Sequence, residues 1–166
     1  MKRVFLIFLL MIFLSVTFAG YISIFLGVSL SGAIFPYIGI RYNANDVEFG
    51  GSLGFVMGPD EKGSGQWYYM FSPSVEMAYF LAGNFSARWN ARALIVIPYQ
   101  NEQLYLTGIG GGYSFPIWEG NFSIKLNADF ILPISAGKKA WDRGKLTPVP
   151  FIETDYEFKI ISLDDL

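Results

Sequence analysis

The charged side chains of this chain recur at every second position, most clearly at Glu153, Asp155, Glu157 and Lys159. Because successive side chains of a β-strand point to opposite faces, this spacing places all four on one face of a strand. Charged groups gathered in this way can pair with one another, conduct ions or protons, or bind a small solute. The spacing therefore predicts strands with one charged face and one apolar face.

The residue types of the chain give little indication of a catalytic site. The chain has no histidine and no cysteine, which excludes Ser-His triads and removes the commonest ligands of zinc. Alternate strand positions hold the carboxylates of Glu153, Asp155 and Glu157 about 7 Å apart, which favours pairing with nearby cations over a shared calcium ion. We therefore expect no enzymatic activity and no bound metal or cofactor.

The same alternation assigns eleven charged residues, five basic and six acidic, to one face of the strands. They are Arg41, Glu48, Glu76, Arg88, Arg92, Lys125, Asp129, Glu153, Asp155, Glu157 and Lys159. A buried charge is costly unless it is paired, so we expect a network of ion pairs that fills the interior, in preference to a conducting or solute-binding column. Counting from the turns, the expected neighbours are Glu76 with Arg92, Lys125 with Glu157, and Asp129 with Glu153.

Eight segments with the alternation of β-strands follow one another along the chain. The clearest runs from Asn121 to Ile134, where apolar residues occupy every even position, and it is long enough for the roughly 9–11 residues with which a tilted strand crosses a bilayer. Short turns at residues 43–46, 82–84 and 118–121 alternate with longer links at residues 58–66, 98–102 and 135–147, as in membrane-spanning barrels. Pro73 lies inside the fourth segment and lacks an N–H group, so we expect a bulge there.

The composition of the polar face decides which face is inside. The sixth segment presents Gly108, Gly110, Gly112 and Ser114, a poor solvent surface that suits a narrow lumen crowded by long neighbouring side chains. Only 16% of the residues are charged, against roughly 25% in soluble domains. In these features the chain resembles the small eight-stranded outer-membrane β-barrels of Gram-negative-type bacteria. The resemblance implies an all-β protein, a closed antiparallel up-and-down transmembrane β-barrel with a polar, filled lumen.

The first residues have the pattern of a secretory leader. Two basic residues precede an apolar run from Val4 to Val16, and a small-x-small motif ends at Ala19. An uncleaved transmembrane helix is the alternative, although the run is shorter than the ~20 residues of a span. We expect a signal peptide at residues 1–19 that is cleaved near Ala19, a barrel in outer-membrane lipid at residues 20–161, and a short tail at residues 162–166. The formal net charge of −2 argues against a nucleic-acid partner.

One predicted outer loop is rich in positive charge. It carries Lys138, Lys139, Trp141, Arg143 and Lys145, a set that could hold anionic glycolipid or surface polysaccharide, although an ordinary solvated loop has a similar composition. The function we expect is a structural, envelope-stabilising or surface-interaction role. The alternatives are an outer-membrane barrel that transports or binds a small solute, and a secreted soluble β-barrel that binds a hydrophobic ligand.

Overall fold

The chain folds into eight antiparallel strands that close into one barrel. The computed structural model describes residues 20–30, 34–59, 67–97, 103–136 and 149–163, without the side chains of residues 133, 135, 136 and 149. The strands are β1 (Tyr21–Leu30), β2 (Ile34–Ala44), β3 (Val47–Pro59), β4 (Trp67–Ala82), β5 (Phe85–Ile97), β6 (Gln103–Ile117), β7 (Phe122–Ala136) and β8 (Val149–Ser162). Each strand pairs with the next, and β8 pairs with β1 to close the barrel. The closed up-and-down fold predicted from the sequence is confirmed.

Burial alternates along the strands and separates a lumen face from an outer face. In β7, Lys125, Asn127, Asp129 and Ile131 are buried, and the side chains between them are exposed. In β2 the same alternation extends from Ile34 to Arg41. The polar parity therefore faces the lumen and the apolar parity faces outward, which is the arrangement that the sequence predicted.

Tight turns join the strands in pairs at one end of the barrel, which we call the short-turn end. They lie at residues 45–46, at residues 83–84 and at a 3-10 turn, Trp118–Gly120. Asn45 and Gly83 have left-handed φ angles of 50° and 55°, which asparagine and glycine adopt at lower cost than other residues. No helix within the described residues is long and apolar enough to span a membrane. At the opposite end, the loop end, the strands lead into residues 31–33, 60–66, 98–102 and 137–148.

The backbone passes Pro73 without an inserted residue, so the expected bulge is wrong. On one side β3 continues in unbroken register, with Leu53 opposite Pro73. On the other side the register with β5 is the same before and after the proline, and the ladder skips Ser72 and Pro73. A gap in one ladder therefore accommodates the missing N–H group, and the strand keeps its alternation on both sides.

The outer face is a continuous apolar surface. Large apolar side chains are exposed on all eight strands, with Ile109 at 70% and Phe130 at 64%, whereas soluble monomers rarely expose apolar patches larger than a few hundred Å². The indole N–H of Trp89 donates to the hydroxyl of Thr107 at 3.0 Å, and that hydroxyl donates to the carbonyl of Asn90 at 3.1 Å. These polar groups are satisfied within the wall, as a lipid environment requires.

Candidate functional site

Ten of the eleven charged residues predicted for the lumen form one connected cluster inside the barrel, which we call the ionic network. The bases Arg41, Arg88, Arg92 and Lys125 contact the carboxylates of Glu48, Glu76, Asp129, Glu153, Asp155 and Glu157. No side chain of the ten is more than 8% exposed. Charges so far from water need such partners, because an unpaired charge in the interior costs several kcal/mol.

Arg41 on β2 is the hub of the network. Its guanidinium contacts four carboxylates: Glu76, Asp155 at 2.9 Å, Glu157 at 2.8 Å and Glu48 at 3.9 Å. The guanidinium carbon also lies 4.1 Å from the centre of the Phe25 ring, where the ring quadrupole attracts the cation. Glu48 belongs to the neighbouring strand β3, but Glu76 belongs to β4 and Asp155 and Glu157 belong to β8. Arg41 therefore also connects strands that are not its neighbours in the sheet.

Two arginines of β5 extend the network toward the loop end. Arg88 Nη2 lies 2.5 Å from Glu76 and 2.7 Å from Glu153, and its Nη1 lies 3.3 Å from Asp129. Arg92 contacts Glu153 as well. It also donates a hydrogen bond from Nη1 to the hydroxyl of Ser29 on β1 at 3.4 Å. Glu76 is shared by Arg41 and Arg88, so it joins the two parts of the network.

Lys125 on β7 closes the network at the short-turn end. Its Nζ contacts Glu48 and lies 2.7 Å from Glu157. It also lies 5.8 Å from the centre of the Phe80 ring. Glu48 and Glu157 are both within reach of Arg41 too, so every carboxylate at this end has a basic partner.

Neutral donors add to the coordination, because six carboxylates exceed four bases, although Asp129 Oδ1 and Glu153 Oε2 accept no hydrogen bond. The hydroxyl of Tyr37 donates to Asp155, and the hydroxyl of Ser23 donates to Glu157. Amide groups supply the other donors: Asn43 to Glu157 at 3.0 Å, Asn90 to Asp129 at 2.6 Å and Asn127 to Asp155 at 3.1 Å. The carboxylates are engaged within the wall, and the described residues contain no group of three or more side chains suited to hold a metal ion.

Glycines on the lumen face make room for these side chains. A Cβ atom on Gly110 would lie 2.3 Å from Asp129 Oδ1 and 2.1 Å from the carbonyl oxygen of Ala128. A Cβ atom on Gly50 would lie 2.6 Å from Glu76 Oε1, and one on Gly39 would lie 2.3 Å from the Phe25 ring. Real Cβ contacts are not this short, so a larger residue at any of these positions would displace a member of the network or its aromatic support.

The individual pairs differ in part from the expectation. Lys125 and Glu157 are in contact, and Asp129 and Glu153 share Arg88. The expected pair of Glu76 with Arg92 is wrong, because a bulge in β4 between Phe80 and Ala82 shifts the register with β5 and places Asn90 opposite Glu76. Glu76 therefore pairs with Arg88 and Arg41 instead.

Lys159, the eleventh charged residue predicted for the lumen, stands apart from the network. Lys159 is only partly buried, and its Nζ lies 4.9 Å from the centre of the Tyr21 ring at the short-turn end. Among the described residues no carboxylate lies within ion-pair distance of it. The predicted anionic-surface loop, with Lys138, Lys139, Trp141, Arg143 and Lys145, lies outside the described residues.

An apolar cluster that the sequence reasoning missed fills the lumen toward the loop end. Leu106, Ile131 and Phe151 are buried and in mutual contact, and Leu94 and Leu104 pack against them. We call these five residues the apolar cap. Each occupies the inward parity of its strand, so a run of apolar residues on both parities near the loop end was the signal that could have revealed the cap. The Phe151 ring lies 5.2 Å from the guanidinium carbon of Arg92, so cap and network meet at this arginine.

Two spaces lie along the lumen axis below the cap. A vestibule of about 400 Å³ at the short-turn end is lined by Glu48, Phe80, Ser114 and Lys125, among other residues. The same four residues also line a cavity of about 10 Å³ deeper in the network, which is room for about one water molecule. Among the described residues, the buried charged side chains of the network occupy the lumen beside these two spaces.

Comparison with known proteins identifies the architecture. No protein-family profile matches the sequence, and no curated protein matches it. The crystal structure of Neisserial surface protein A is similar with a TM-score of 0.50 at 13% identity, covering 85% of this chain and 96% of that chain. The outer membrane protein Ail of Yersinia pestis, whose backbone structure was obtained in a phospholipid bilayer nanodisc, is similar with a TM-score of 0.51 at 16% identity, covering 85% and 99%. The chain therefore has the fold of the small eight-stranded outer-membrane β-barrels.

Proposed function

We propose that the protein is an integral outer-membrane barrel with a structural, envelope-stabilising role, and that the ionic network serves to hold the barrel closed. One observation carries the proposal: apolar side chains cover the outside of all eight strands, while ten charged residues pair with one another inside. The outward side chains of the wall thus contact lipid in place of water, and the inward charged side chains contact one another in place of water. Such a barrel is a rigid insert in a bilayer.

The filling of the lumen favours this role over transport. With eight strands the bore is just wide enough for side chains to fill it, and the deeper cavity has a volume of only about 10 Å³. The carboxylates of the network are engaged by bases and neutral donors, so they do not form a free column for a permeating ion. A barrel filled in this way is expected to be silent as a channel.

Cell fractionation and electrical recording test the proposal together. We expect the expressed protein in the outer-membrane fraction, with a gel mobility that differs between unheated and boiled samples. We also expect no channel conductance when the folded barrel is added to a planar bilayer. Recovery as a folded, water-soluble monomer would overturn the membrane location, and steady ion conductance would overturn the structural role.

The basic loop supports a second, surface-directed part of this proposal. Four positive charges and Trp141 lie within residues 138–145, and a cluster of this kind attracts phosphate or sulfate groups. We propose that it contacts anionic glycolipid or polysaccharide at the outer surface. A variant with Lys138, Lys139, Arg143 and Lys145 changed to Gln should bind anionic vesicles more weakly than the native barrel does, in a salt-dependent way. A matched variant with Trp141→Phe keeps the charge, and unchanged binding by the Gln variant would reject the contact.

A further inference from the structure

We propose that the lumen is accessible from one end only: water reaches the network from the short-turn end, and the apolar cap seals the loop end. The inference rests on the proposed membrane-spanning role, because only a spanning barrel has ends on opposite sides of a bilayer. The inference identifies the side chains that separate the water on one side of the bilayer from the water on the other. The ionic network fills the bore, and the cap prevents water from reaching the network from the loop end.

Access from the short-turn end follows from the two spaces along the axis. The vestibule and the deeper cavity share four lining residues: Glu48, Phe80, Ser114 and Lys125. The ion pair between Lys125 and Glu48 therefore borders both spaces. A lysine on a four-carbon stem moves readily and keeps its charge hydrated as it does so. A small displacement of Lys125 would connect the deeper cavity with the vestibule.

Closure at the loop end follows from the burial and the chemistry of the cap. Ile131 is 1% exposed, Leu106 is 5% exposed and Phe151 is 7% exposed. None of the five cap side chains offers a hydrogen bond to water, and apolar constrictions of this kind exclude water and ions by dewetting. Just beneath the cap, Arg92 reaches across the bore from β5 to Glu153 on β8 and Ser29 on β1. On β5 to β8 the cap residues lie nearer to the loop end than Arg92, Asp129 and Glu153, so a molecule that enters along these strands meets apolar side chains before the charges of the network.

Single cysteines can map this access, because the native chain has none. We choose three lumen serines: Ser114 in the vestibule wall, Ser86 in the wall of the deeper cavity, and Ser29 beneath the cap. Each is changed to Cys in the full chain, folded in detergent so that both ends face water. The probe is a small, uncharged, water-soluble thiol reagent, and the gel-mobility shift verifies folding. We expect Ser114→Cys to react fastest, Ser86→Cys more slowly, and Ser29→Cys at least ~100-fold more slowly than Ser114→Cys, since it reacts only through local opening.

Two further variants distinguish the cap from the network. Leu106→Ala combined with Ile131→Ala should raise the reaction rate of Ser29→Cys and leave that of Ser114→Cys unchanged. Lys125→Met should raise the rate of Ser86→Cys and leave that of Ser29→Cys unchanged. If Ser29→Cys already reacts as fast as Ser86→Cys in the otherwise native barrel, the cap is not a seal. If Lys125→Met exposes Ser29→Cys and the cap variant does not, the seal lies in the network. Conductance of the native barrel would instead contradict the structural role proposed above, so the two failures are distinguishable.

Discussion

The two regions of the lumen are built from the same strands but differ in chemistry. On β7 the buried residue Asp129 belongs to the ionic network, and Ile131, the next inward residue, belongs to the apolar cap. On β8 the same step leads from Glu153 to Phe151. On each of these strands, the inward residue two positions nearer to the loop end is apolar instead of charged. This change occurs at a similar height along the barrel axis on both strands.

The comparison shows two ways of filling a narrow bore. In the network each contact is directional, and Arg41 alone connects four carboxylates from three strands. In the cap the contacts depend on shape and volume, and a residue there has no specific partner to lose. We therefore expect substitutions in the network to leave unpaired charges, and substitutions in the cap to leave voids.

The largest effect should come from the hub of the network. Arg41→Met keeps much of the side-chain length but removes the charge that four carboxylates share. We expect a loss of ~3–5 kcal/mol in the free energy of unfolding, or failure to fold, because charges remain buried without a partner. Urea titration of the barrel in phospholipid vesicles, followed by tryptophan fluorescence, measures the loss. A loss below ~1 kcal/mol would mean that the network does not stabilise the barrel as a unit.

The second-largest loss of stability should come from a substitution in the apolar cap. Ile131→Ala removes the most deeply buried side chain of the cap and leaves a void, for which we expect ~2–4 kcal/mol in the same titration. Because no charge is left unpaired, the loss should be insensitive to salt. The matched control is Ile109→Ala on the outer face, where the native side chain is 70% exposed and lipid fills the space. Equal losses at positions 131 and 109 would show that the cap is not packed as a core.

Glycine substitutions test the space that the network needs. Gly110→Ala would place a methyl group 2.3 Å from Asp129 Oδ1, and we expect it to cost ~1–3 kcal/mol through overpacking. Gly51→Ala is the control, because a Cβ atom there would have its nearest contact at 3.6 Å, an ordinary van der Waals distance. Thermal unfolding in detergent compares the two. A variant at position 110 as stable as the one at position 51 would indicate that the lumen is looser than described.

The smallest effect we predict concerns Arg92, at the boundary of the two regions. Arg92→Leu removes one partner of Glu153, which keeps Arg88 at 2.7 Å, and it adds apolar surface next to Phe151. We expect a loss of ~1–2 kcal/mol. The control is Arg143→Leu in the predicted basic loop, for which we expect a smaller loss because an exposed charge contributes little to stability. Unfolding temperatures in detergent measure both. Equal shifts for the two variants would place Arg92 outside the stabilising network.

The strands and their faces could be predicted from the sequence because a lipid-spanning wall forces a strict period of two. Asp129 is 2% exposed and its neighbour Phe130 is 64% exposed, which is the pattern that their residue types indicate. The partners across the bore could not be predicted, because Arg41 on β2 and Glu76 on β4 are separated by a whole strand. Only the curvature of the closed wall brings them together.

Two local features also could not be predicted by counting residues from the turns. The bulge between Phe80 and Ala82 changes the register of the hairpin of β4 and β5 by one residue. Neither residue type is a sequence signal for a bulge. Phe25 and Tyr37 point into the lumen and support Arg41 and Asp155, although aromatic residues in such barrels are expected at the lipid interface. A pattern of residue types indicates the face of a strand but not the volume that the bore must fill.

The position of Arg41 has a consequence for biogenesis. Two of its carboxylate partners, Asp155 and Glu157, belong to the strand that is synthesised last. A wall that is still missing this strand would leave Arg41 with Glu48 and Glu76 but without these two counter-ions. Completion of the sheet and neutralisation of its interior are then a single cooperative event, and nascent intermediates must remain hydrated until the first and last strands meet.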